Sequence, residues 1–126
     1  MSEYEGEESL QDILPFLDVE AGLTYAADDE DLYIEILQSY AYESEEEKIQ
    51  QFFQEEAWTD YATLMHAVKS TSLTIGATEL SAGAKEMELA AKAGDYATVK
   101  AKHQQVMNQY LELLQKLRDI VEEPED

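Results

Sequence analysis

The 126-residue chain has no cysteine, so it forms neither disulfides nor thiolate metal sites. It has only two prolines and five glycines, too few for a turn-rich all-β fold. No apolar run approaches membrane-spanning length. The first residues, Met1 to Glu8, lack the basic and apolar regions of a signal peptide, so a cytoplasmic location is expected. Cations are scarce, with eight Lys plus Arg against 29 Asp plus Glu and a formal charge of -21. Such a field repels nucleic-acid phosphates and anionic membranes. It suits basic or locally complementary protein surfaces, although plain solubility accounts for the charge equally well.

Hydrophobic residues make up 44%, including eight tyrosines, which is too many for a disordered chain. Period-two alternation is weak and helical spacing is everywhere. Asp18 is placed to cap a short helix through Tyr25, with Val19 and Leu23 as its apolar pair. The run Asp28-Asp29-Glu30-Asp31 opens a longer helix, where the helix dipole favours negative charge. Leu32, Tyr33, Ile36, Leu37 and Tyr40 form its buried stripe. Ser44 and Glu47 have capping-box spacing, marking a restart or kink before Ile49, Phe52 and Phe53.

A third helix runs from about Thr59 to Ile75 and stops at Gly76. A fourth, capped by Thr78 and rich in Ala and Gly, ends at Gly94. A fifth begins near Asp95, with Tyr96, Val99, Val106, Tyr110, Leu113, Leu117 and Ile120 as its seam. Short connections between long amphipathic helices make antiparallel neighbours. The expected fold is all-α, an antiparallel four-helix bundle with an additional short N-terminal helix. It occupies residues 10–121, between acidic tails at 1–9 (disordered) and 122–126.

Two histidines are available for chemistry. His103 lies between Val99 and Val106 in the seam of the last helix, a place for a hydrogen-bonded core histidine. On a wheel of 100° per residue, Tyr61, Leu64, Val68 and Ile75 group on one side of the third helix. His66 falls opposite them and faces solvent. Its neighbours Ala62, Thr63, Ser70 and Leu73 make a low, partly apolar surface where this acidic protein would ordinarily carry charge. Spacing alone leaves His66 as either a reactive or an ordinary surface histidine.

From His66 the chain reads His-Ala-Val-Lys-Ser-Thr-Ser-Leu-Thr-Ile-Gly-Ala, ending at Ala77. This resembles the signature of the histidine-containing phosphotransfer (HPt) domain family. In that family a phosphorylatable histidine is followed by an aliphatic residue, Lys, Gly, a small pair and then Gly-Ala. Val68, Lys69, Ser72, Gly76 and Ala77 fit, and Ser70 stands where Gly is usual. Trp58 falls where the family often has an aromatic residue. Leu80, Met87-Glu88, Ala91-Lys92 and Gly94-Asp95 look like its next helix, and Asp18 through Tyr40 like its entry helices. The resemblance spans roughly residues 17–117.

The resemblance implies a phosphorelay intermediate in which His66 accepts a phosphoryl group from a receiver-domain aspartate, or from a histidine kinase, and passes it to another receiver. It also implies that Glu88 hydrogen-bonds the His66 ring and that Lys92 is a basic site position. The chemistry is reasonable on its own terms, because a neutral imidazole nitrogen is a nucleophile toward an activated phosphoryl group. The product gains negative charge, and Lys69, three residues along the same helix, is suited to offset it. Lys85 and Lys92 flank Glu88 at i−3 and i+4. They are phosphoryl-stabilising candidates, or else part of an ion-pair ladder of small value.

No phosphate-binding Gly-rich loop, kinase nucleotide motif or metal-ligand cluster is readable. The chain is therefore expected to be a monomeric carrier with no ATP-dependent kinase activity, cofactor or metal of its own. Receiver domains, and a histidine kinase as a further candidate, are the expected partners, with neither nucleic acid nor membrane among them. Two alternatives stay open. One is the phospho-accepting domain of a chemotaxis-type histidine kinase. The other is an acidic helical adaptor or nucleic-acid mimic that binds by charge and ignores His66.

Overall fold

A computed structural model describes residues 9–124. The acidic tails expected at 1–9 and 122–126 lie largely outside these residues. Ser9 itself caps the first short helix through its side chain. Among the described residues the protein is all-helical, with seven helices: α1 (Leu10–Ile13), α2 (Val19–Tyr25), α3 (Glu30–Tyr42), α4 (Glu46–Gln54), α5 (Trp58–Ile75), α6 (Thr78–Lys92) and α7 (Tyr96–Ile120). None of these is long and apolar enough to cross a membrane.

The starts of α2, α3 and α7 follow the acids in the sequence. Asp18, Asp29 and Asp95 each accept a hydrogen bond from a first-turn backbone N–H, at 3.1, 3.2 and 3.2 Å. Two expected caps are corrected. Ser44 and Glu47 form no capping box, because α4 starts after Glu45 and Ser44 Oγ instead bonds the Glu46 carboxylate. Thr78 is the first residue of α6, not its cap. Ala77 takes that place and offers no side-chain acceptor.

The turn between α5 and α6 fixes the hairpin that carries the site. Gly76 has φ of 90°, a left-handed conformation that disfavours any side chain. A Cβ there would also lie 2.1 Å from the carbonyl oxygen of Asp18. The Gly76 carbonyl accepts from the Asp18 backbone N–H at 2.9 Å, so the entry to α2 is docked on this turn. Helices α5 and α6 make the most extensive contact, and α7 packs on α6 and on α3.

The core is centred on Tyr33, Leu37, Tyr61, Met65, Ile75, Met87, Met107, Leu114 and Leu117, all fully buried. Three of the expected apolar positions, Leu32, Tyr96 and Ile120, are instead about two-fifths exposed. They lie in the first or last turn of their helices, where fewer neighbouring helices remain to cover them.

Buried phenols fix how α5 is rolled. Tyr33 donates to the Ile75 carbonyl at 2.8 Å, and Tyr40 pairs with Ser72 Oγ at 2.7 Å. Tyr61 bonds His103 Nδ1 on α7 at 2.8 Å. Ser81 on α6 donates to the Lys69 carbonyl at 2.8 Å. Buried hydroxyls left unpaired would each cost about 1–3 kcal/mol. These pairings therefore oppose any rotation of α5, and rotation is what would move His66.

Candidate functional site

His66 lies midway along α5 with 57% of its side chain exposed. Across the α5–α6 groove stands Glu88, only 2% exposed. The Glu88 carboxylate Oε2 accepts from His66 Nδ1 at 2.9 Å and from Lys92 Nζ at 2.7 Å. Lys69 Nζ lies 3.0 Å from the other oxygen, Oε1. That contact is an ion pair off the hydrogen-bond direction, so buried Oε1 has no aligned donor.

Sequence geometry builds this arrangement from two helices. His66 and Lys69 share one face of α5 at i,i+3, and Glu88 and Lys92 share one face of α6 at i,i+4. The small residues Ala84 and Ala91, both buried on α6, let the helices approach closely enough for the side chains to meet.

Burial pushes the Glu88 carboxyl up. The contacts from Lys92, Lys69 and His66 outweigh that and hold it down at about 2. Glu88 is therefore ionised at neutral pH and acts only as an acceptor. The proton on His66 then sits on Nδ1, leaving the Nε2 lone pair free in the neutral ring. Two lysines face one carboxylate, so this spot carries a surplus of positive charge on a protein of -21.

Of the residues singled out in the sequence, the structure brings His66, Lys69, Glu88 and Lys92 together. Lys85 is exposed and makes no ion pair with Glu88 among the described residues. Thr63, Ser70 and Leu73 are exposed on the His66 side, Leu73 by 41%. Ala62 is corrected. It is 4% exposed and belongs to the core. The buried arc of α5 is centred on Met65 and Ser72, nearer to His66 than the wheel drawn through Leu64 and Ile75. Leu64 is only half-buried.

One exposed apolar residue of α6 was not singled out from the sequence. Leu89, beside Glu88, is 53% exposed, an apolar side chain between Lys85 and Lys92 on an otherwise polar face. That pattern was readable as a surface feature.

His103 is 2% exposed. It stacks on Phe53 at 3.7 Å and 3° and meets Gln50 Oε1 through Nε2 at 2.6 Å. With Gln50 accepting, Nε2 carries the proton and Nδ1 accepts from Tyr61. Burial lowers its pKa to about 4. Both ring nitrogens are occupied, so this histidine is structural. No group of three or more His, Asp or Glu that could hold a metal occurs among the described residues. Comparison with known protein families, curated proteins and solved structures returns no match to this chain.

Proposed function

We propose that the protein is a histidine phosphotransfer module, with α3, α5, α6 and α7 as an antiparallel four-helix bundle and His66 as the phosphoryl carrier. One observation carries the reading, namely an exposed imidazole whose Nδ1–H is held by a buried, ionised carboxylate while two lysines stand at the same carboxylate. In the reaction, the Nε2 lone pair attacks the phosphorus of an aspartyl phosphate on a receiver domain. The N–P bond forms, the P–O bond to the acyl oxygen breaks, and the aspartate leaves as carboxylate.

The imidazole ring becomes cationic as the N–P bond forms, and Glu88 offsets that charge through Nδ1–H. Lys69 and Lys92 are near enough in the groove to offset the charge of the transferred oxygens. The low surface of Thr63, Ser70 and Leu73, joined by Leu89, admits the receiver's active site to His66. Passing the group to a second receiver is the same step reversed. The carrier needs no nucleotide site for this, and the donor's acyl phosphate supplies the driving force.

The test is incubation with a phosphorylated receiver domain. Label should appear on the wild type and vanish in His66→Gln with helicity intact. Label that survives His66→Gln would refute the assignment. Labelling by an ATP-bound kinase domain and not by a receiver would instead favour the chemotaxis-kinase alternative.

A further inference from the structure

Helix α5 has a second feature on its other side. A cleft of about 330 Å³ lies between α3, the α3–α4 link, α4, α5 and α7. Tyr40, Ile49, Val68 and Tyr110 line it as buried residues, and Ile36 and Leu64 as half-buried ones. At the rim stand Ala67 and Thr71 of α5 and, from the link, the exposed acids Glu43 and Glu45. None of His66, Lys69, Glu88 and Lys92 lines it.

We propose that this cleft binds a small organic cation, a compact apolar body bearing one ammonium group. The apolar lining and the volume suit a small molecule. The charge at the mouth selects its sign. Glu43 accepts from Ser39 Oγ at 2.7 Å and pairs with no Lys or Arg among the described residues. Glu45 has only the exposed Lys48 at 3.5 Å, a weak and screened pair. The nearby cation Arg118 is already engaged by Glu46 and the Ala41 carbonyl.

Other occupants fit less well. An anion meets both rim acids and the -21 field. A partner helix would need a far larger surface than a cleft of about 330 Å³ offers.

The experiment is a ¹⁵N–¹H NMR titration of the full chain with 2-phenylethylammonium. Neutral 2-phenylethanol, anionic 3-phenylpropanoate and ammonium chloride are run alongside. Saturable shifts are expected at the amides of Ile36, Ala67 and Thr71, with the amine binding at least threefold more tightly than the alcohol and the carboxylate not binding. Glu43→Gln should bring amine and alcohol within twofold. Ala67→Phe, at the exposed rim, should abolish binding with an unchanged melting temperature. Unsaturated shifts, shifts reproduced by ammonium chloride, cleft amides that do not move, or equal binding of amine and carboxylate would each overturn the proposal.

Discussion

Glu88→Gln removes the one charge that two donors and the Lys69 ion pair share while nearly keeping its shape. A carboxyl displaced from 4.5 to about 2 favours its ionised form in the folded protein by roughly 3 kcal/mol. Glu88 is buried, but Lys92 and His66 are 59% and 57% exposed, so water screens a large part of this. The amide oxygen introduced by the substitution still accepts from one of these groups, which retains part of that stabilisation. Lys92 and, to a lesser extent, Lys69 can turn to water. The net loss expected at pH 7 is therefore about 1–2 kcal/mol, or a melting temperature lower by roughly 3–8 °C.

The pH dependence makes this prediction specific. A depressed carboxyl pKa contributes stability that is fully present above the unfolded value near 4.5 and lost as pH falls toward 2. Urea midpoints of wild type and variant should therefore differ most above pH 5 and converge progressively as the pH falls from 4.5 to about 2. Equal stability at pH 7, or a gap that does not close in acid, would refute the charge argument.

His103 predicts a different window. Its folded pKa of about 4 lies below the ordinary 6.5, so the unfolded chain takes up the proton first as pH falls. Up to roughly 3 kcal/mol of stability should be lost between pH 6.5 and 4, and His103→Gln should flatten that slope in urea titrations. An unchanged slope would mean that another group titrates there. Leu73→Glu should block transfer from a receiver with the melting temperature held, whereas Val68→Glu, at a 6% exposed position, should unfold the protein. Unfolding by both would place Leu73 in the core. Gly76→Ala should destabilise by more than 1 kcal/mol through the left-handed backbone and the clash with Asp18, and calorimetry that shows no loss would contradict it.

Much of the frame was legible because local rules decided it. Asp18, Asp29 and Asp95 announced helix starts, and Gly76 a helix end. The exposure of His66 followed from helical spacing. Tertiary packing decided the rest. Periodicity alone gave Glu88 only a place in a ladder with Lys85 and Lys92, because it places a residue on a face but does not say how closely the next helix approaches. The bond from Glu88 to the His66 ring was an expectation from the family resemblance. Here α5 comes close enough to bury the carboxylate, and two donors, His66 and Lys92, with the Lys69 ion pair make that burial tolerable. Ala62 was misplaced for a related reason. A wheel drawn through Leu64 and Ile75 leaves out Met65, whose full burial shifts the core arc toward His66. The buried phenol contacts of Tyr33, Tyr40 and Tyr61 link residues 32 to 42 positions apart, beyond the reach of any local pattern.

The central claim concerns one nitrogen atom, and NMR of the protein phosphorylated by a receiver, with ¹⁵N-labelled histidine, reads it directly. Because Glu88 holds Nδ1–H, phosphorus should couple to Nε2 of His66 and to no other nitrogen, giving a single phosphoramidate resonance that is lost in acid and comparatively stable in alkali. Phosphorus on Nδ1, on His103, or as a base-labile acyl phosphate would contradict the account.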